Sequence, residues 1–224
     1  DYKKVGEAFW FTDTQKIWKE RYKSIVLAEG AWCTQALFSK TPIHTLEDFR
    51  NKRLRVHNPQ TAVLMNALGA KPVPLALPEV MPSLERGVID GLFTSACYGN
   101  GQEYWRVAKN VQNWSLGPIN GWAVLINEDV WNKLPADLQA KVKAEMLLVQ
   151  KEALETQSKF TQAAYDNMKK NGAILWDAPA AERARLFDQK FVKPTYDAWL
   201  ARAKEVGFDG NAFLARVKST LGRN

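Results

Sequence analysis

Residues 51–61, NKRLRVHNPQT, set an arginine between two strand-forming aliphatics. If the segment around LRV is a strand, Leu54 and Val56 face one way while Arg53, Arg55 and His57 face the other. A guanidinium on such a strand can offer its planar fork to a carboxylate, and charge-assisted bonds of this kind contribute about 1.5–3 kcal/mol each. His57, Asn58 and Thr61 stand at the strand's end, and Phe93, Thr94 and Ser95 end a later strand of the same α/β unit. In a parallel sheet those ends converge. An internal ion pair with Glu79 or Asp90 is the equal alternative for Arg55.

Other chemistries find less support. No GxGxxG, Walker lysine or GxSxG elbow follows a strand, since YGNGQEYW has only paired glycines. Paired carboxylates such as Glu182 and Asp188 read as a solvated helix face rather than as acid and base. Cys33 and Cys97 lack CxxC spacing, and with His44 and His57 alone beside them no ordinary zinc site can be assembled. We therefore expect no metal, no cofactor and no enzyme, and two buried thiols rather than a disulfide, which leaves the compartment open.

The formal charge of +7 admits an anionic partner, but 31 basic residues are interleaved with 24 acidic ones. A solvated basic surface is favoured over nucleic-acid binding, with Arg50, Lys52, Arg53 and Arg55 the densest cluster. The uncharged run 110–127 contains Asn113, Ser115, Pro118 and Asn120, which disqualifies it as a membrane span. The N-terminal DYKKVGEAFWF has no apolar core of a signal peptide, so the chain is expected to be cytosolic, mature or an excised piece.

The elements that must hold these residues alternate. A helix over 14–23 leads into SIVLAEGAW. From Arg53 the order is strand LRV, helix TAVLMNALG closed by Gly69, strand KPVPL, helix PEVMPSLERG closed by Gly87, and strand VIDGLFTS. Pro82 implies a kink or a late start in the second helix. WAVLIN is a further strand, with Asn127 capping the next helix. After Pro135 one helix is expected to run to Gly172, with Leu138, Val142, Met146, Val149, Leu154, Phe160, Ala164 and Met168 as its apolar stripe. Strand AILW and helices near 180–190, 194–206 and 211–221 complete the chain.

KTPIHTLEDFRNKRLRV, LGAKPVPLALPEVMPSLERGVIDG and the helix entry after LPADLQ, in this order, resemble solute-binding proteins of tripartite ATP-independent periplasmic (TRAP) transporters. The resemblance covers nearly the whole chain from about Ile25. It implies an α/β, two-lobed periplasmic-binding-protein-like fold with a long helix spanning both lobes. Residues 1–32 and 121–160 would form lobe I, and 33–120 and 161–224 lobe II. The ligand would be a small organic acid held at Arg55 and delivered to membrane subunits of the transporter, with no nucleic acid as partner and a periplasmic location.

Some sialic-acid-binding relatives carry a second arginine where this chain has Gln35, which points away from a sugar acid. Trp32, Trp114 and Trp122 would line the cleft beside Asn120 and favour an apolar or aromatic acid, with lobe core as the alternative place for the tryptophans. The family's opening βαβαβ has no counterpart, so the chain is expected to be part of a longer protein.

Overall fold

The computed structural model describes residues 2–9, 12–116 and 121–222, in two compact units. Unit two comprises residues 33–119 and 159–210. Its strands and helices are β2 (Gln35–Ser39), β3 (Arg53–Val56), α3 (Pro59–Ala67), β4 (Lys71–Pro74), α4 (Leu77–Glu85), β5 (Gly91–Ser95), α5 (Ala96–Gly101), β6 (Asn110–Asn113), β8 (Ile174–Asp177), α8 (Ala180–Leu186) and α9 (Gln189–Glu205). Unit one comprises residues 1–32, 120–158 and 211–224, with α1 (Tyr2–Phe9), α2 (Asp13–Tyr22), β1 (Ser24–Ala31), β7 (Gly121–Asn127), α6 (Glu128–Asn132) and α10 (Gly210–Thr220). Helix α7 (Ala136–Lys170) contributes to unit one as far as Ser158 and to unit two from Lys159.

The sheet of unit two has the order β4-β3-β5-β2-β6-β8. Strand β2 runs antiparallel to both neighbours, and the other pairs are parallel. The carboxyl ends of β3, β4, β5, β6 and β8 therefore share one edge with the start of β2. Alternation sorts the side chains into two cores, as expected of a sheet covered on both faces. Leu37, Leu54, Val56 and Phe93 pack with Met65 of α3 on one face, while Ala36, Phe38 and Leu92 pack with Val80 and Leu84 of α4 on the other. Asn58 caps α3, and Gly69 and Gly87 follow α3 and α4 with φ of +78° and +72°, as the glycine stops required.

Several expectations are corrected. Helix α4 starts at Leu77, at once after its turn, and continues through Pro82, so there is no late start. Helix α9 begins at Gln189 under an Asp188 cap and carries Pro194 inside it. The stripe along α7 is buried at Ala164 and Met168, but Leu138, Val149 and Phe160 are more than a third exposed. Helix α10 belongs with unit one rather than lobe II, because Phe213 meets Phe9 at 5.0 Å and Arg216 grips Asp13 through bonds of 2.8 and 3.0 Å.

Cys33 and Cys97 form a disulfide, with Cα atoms 5.8 Å apart, where free thiols were expected. The register explains it. Gln35 lies opposite Ser95, the Ala96 N–H donates to the Thr34 carbonyl at 2.9 Å, and continuing this ladder one more step sets Cys33 opposite Cys97. Only knowledge that β2 and β5 are neighbours reveals the pair.

The bridge closes a loop across a sequence separation of 64, so reduction should release a large unfolded-state entropy. Urea unfolding with and without a phosphine reductant should show stability lower by about 2–4 kcal/mol in the reduced protein. An unchanged midpoint would mean that the bridge does not form.

Candidate carboxylate-binding site

Arg55 lies in β3 between Val73 of β4 and Leu92 of β5 and is 4% exposed. By alternation with Leu54 and Val56 it points to the face of α4. Its Nε donates to the Leu75 carbonyl at 3.1 Å and its Nη1 to the Phe93 carbonyl at 3.4 Å. The two acids that could have neutralised it are engaged elsewhere. Asp90 accepts from Arg53 Nε at 3.1 Å and Nη2 at 2.6 Å, and Glu79 accepts from the Ala76 N–H at 2.9 Å at the start of α4. Among the described residues Arg55 has no carboxylate partner. Burial pulls its pKa below the ordinary value, with Tyr104 and Tyr98 pulling back, but an arginine keeps its proton and so its charge. Tyr104 in turn is pushed up to about 12 by burial and stays a neutral phenol.

His57 follows directly. Neither of its ring nitrogens has a hydrogen-bond partner, and burial, then the charge of Arg55, lowers its pKa from the ordinary 6.5. The Phe93 carbonyl pulls the other way without reaching hydrogen-bond geometry. The ring is therefore neutral at pH 7. Asn58 Oδ1 accepts from the Thr61 N–H at 2.8 Å and from Thr61 Oγ1 at 2.9 Å, so both residues serve the cap of α3 before any ligand. Ser95 Oγ likewise accepts from the Tyr98 N–H at 3.2 Å as the cap of α5, while Thr94, on the face of Arg55, is buried opposite Ala36. Gln35 is 3% exposed, and its Oε1 is enclosed without a donor.

The structure thus gathers Arg55, His57, Asn58, Thr61, Thr94, Ser95 and Gln35 at one edge of the sheet of unit two. Trp114 is not among them. It is 1% exposed and its ring lies 5.3 Å from those of Phe49 and Trp176, so the expected cleft residue is core. Trp32 and Trp122 belong to unit one. Trp32 is 53% exposed, and Trp122 lies so close over Gly30 that a Cβ there would sit 2.3 Å from its Cζ2. Asn120 lies outside the described residues. The sequence reading missed the carbonyls of Leu75 and Phe93, which carry no side-chain signal, and the tyrosines of ACYGNGQEYW near Arg55.

The model of the bacterial extracellular solute-binding proteins, family 7 (DctP), matches residues 13–202. The chain belongs to this family. It is 27% identical over 165 residues to the C4-dicarboxylate-binding periplasmic protein DctP of Rhodobacter capsulatus, covering 73% of this chain and 49% of that protein. It is 29% identical over 102 residues to the sialic acid-binding periplasmic protein SiaP of Vibrio cholerae, covering 45% of this chain and 32% of that one. The chain thus spans about half or less of the length of these relatives.

Among solved structures, it is similar to a TRAP periplasmic solute-binding protein of Desulfovibrio salexigens with bound orotic acid, with a TM-score of 0.83 and 22% identity over 99% of this chain and 70% of that one. The periplasmic ectoine-binding protein of the TeaABC TRAP transporter of Halomonas elongata gives 0.82 and 21% over the same shares. At such identity the likeness speaks for the fold, the two-lobed α/β architecture with its long helix.

With two histidines in the chain, proton NMR can follow His57 directly. Its midpoint should lie below 6.5 and rise in Arg55→Met, which removes the repelling charge while leaving the ring buried. The sign also fixes its effect on stability. The unfolded imidazole takes up its proton first, so His57 lowers stability as pH falls below about 6.5. A midpoint unmoved by Arg55→Met would separate the two residues.

Proposed function

We propose that this chain is the carboxylate-binding part of an extracytoplasmic solute-binding protein. It captures a small organic acid in the periplasm and delivers it to the membrane subunits of a TRAP-type transporter, without catalysis. The observation that carries this reading is Arg55, a buried guanidinium whose neighbouring acids are committed elsewhere. A charge taken out of water needs a partner, and a ligand carboxylate supplies one at the convergent strand ends. Membership of the solute-binding family supports the transport role. The basic cluster that would have suggested nucleic acid is dispersed, since Arg53 is held by Asp90 and Arg55 is buried.

The finer reading is an apolar or aromatic body for the acid. It loses the support of Trp114, which is core against Phe49 and Trp176. Mass spectrometry of the purified, denatured protein should release a small acid. Its binding, measured by calorimetry on the intact protein, should fall roughly 10- to 100-fold in Arg55→Ala, the equivalent of about 1.5–3 kcal/mol for one charge-assisted bond. Arg55→Lys should lose nearly as much, because an ammonium cannot hold two backbone carbonyls and still present a planar fork. Full affinity in Arg55→Lys would reduce the arginine's role to net charge.

A further inference from the structure

We infer that the amino-terminal edge of the sheet in unit two, opposite the edge that carries the candidate site, is a docking surface for an anionic phospholipid bilayer. Strand order assembles it. Strands β3, β4, β5, β6 and β8 begin at this edge and β2 ends there. Hydrogen bonds tie the strand ends into one row. The Lys71 N–H donates to the Lys52 carbonyl at 2.8 Å, the Asp90 N–H to the Arg53 carbonyl at 2.8 Å, and the Lys40 N–H to the Asp90 carbonyl at 2.9 Å. Beyond β2, Asn110 Nδ2 donates to the Lys40 carbonyl at 3.0 Å and the Ile174 N–H to the Lys109 carbonyl at 2.8 Å. Cations therefore stand side by side, Lys71 at β4, Lys52 at β3, Lys40 at β2 and Lys109 at β6, with Arg86 in the turn where Gly87 lies beside the Lys40 ammonium. At about 4.8 Å per strand the row is about 24 Å long.

What sets this row apart is its missing acids. Lysines elsewhere are paired, Lys19 with Glu128, Lys141 with Asp137 and Lys193 with Asp197. Among the described residues the row's cations have no ion pair, and Lys52 Nζ donates to a neutral hydroxyl, Thr41 Oγ1, at 2.9 Å. The acids of the same end are engaged, Asp90 by Arg53, Glu47 by Arg185, Glu103 by Arg106, and Asp48 by the N–H groups of His44 and Thr45, which leaves the exposed Glu85 beside Arg86. Lys71, Arg86 and Lys109 are exposed, and Lys40 and Lys52 partly so. A line of bare cations complements a plane of phosphates. Val88 and Ile174, 46% and 57% exposed, stand at the same edge, which suits a headgroup layer over an acyl boundary better than a free polyanion.

Vesicle flotation of the intact protein tests this. Vesicles of about three parts phosphatidylcholine to one part phosphatidylglycerol should carry the protein at about 0.05 M salt and release it at about 0.5 M, and pure phosphatidylcholine should not carry it. The triple variant Lys40→Gln, Lys71→Gln, Lys109→Gln should bind roughly 100-fold more weakly, the equivalent of about 1 kcal/mol for each cation removed. Lys71→Gln alone, at an exposed position of the outermost strand β4, should lose about 5-fold on the same scale, a check that needs no triple variant to fold. Lys133→Gln, Lys151→Gln, Lys159→Gln changes net charge equally at exposed positions off this edge and should bind as the parent does. No binding to the anionic vesicles, equal losses in the two triple variants, or tighter binding to single-stranded DNA than to the vesicles would overturn the inference. The acid held at Arg55 plays no part in these measurements, so the carboxylate reading stands or falls separately.

Discussion

Arg55 keeps only 4% of its surface exposed and has two backbone carbonyls for company. Desolvating a guanidinium costs several kcal/mol, and dipoles at 3.1 and 3.4 Å offset part of that. The ion pairs nearby deepen the asymmetry. Asp90 on the same sheet is consumed by Arg53 at the opposite end of β3, and Glu79 by the first turn of α4. Each acid serves local structure, and the result is a positive charge near the convergent strand ends of an α/β sheet, where ligands bind in such folds.

Strand order sets which residues share that edge of the sheet. Because β2 runs against the rest of the sheet, its first residue meets the last residue of β5, and Gln35 arrives where Ser95 leaves. The same register, continued outward, joins Cys33 to Cys97 and fixes the two chain segments that carry Gln35, Thr94 and Ser95. Tight backbone approach keeps β2 in place. A Cβ at Gly91 would sit 2.4 Å from the Phe38 carbonyl oxygen, and one at Gly99 would sit 2.2 Å from the Phe38 ring. Neither position accepts a side chain unless β2, at Gly91, or the Phe38 ring, at Gly99, moves.

What depends on short-range pattern was legible in the sequence. LRV gave its face assignment by alternation, Gly69 and Gly87 marked helix ends, and the helix after Pro135 runs for 35 residues, close to the length its pattern required. What depends on which strands become neighbours was not legible. The disulfide and the burial of Trp114 against Phe49 and Trp176 each join residues far apart in sequence. The fate of Arg55 lay between these cases. Its position was readable, but its lack of a carboxylate partner among the described residues required knowing that Asp90 faces Arg53 and that Glu79 turns back to Ala76.

An arginine kept for a ligand and one kept for structure differ in what their removal does to the empty protein. The most direct measurement is therefore the unfolding free energy of ligand-free Arg55→Met against the ligand-free parent, by urea titration, Met preserving the aliphatic bulk. If the guanidinium awaits a ligand anion, removing the uncompensated charge should leave stability unchanged or raise it, since apolar replacement of poorly compensated buried charge is neutral or stabilising. A loss of about 3–5 kcal/mol, the size seen when a buried ion pair is broken, would show that Arg55 already has its partner within the fold and would contradict the account.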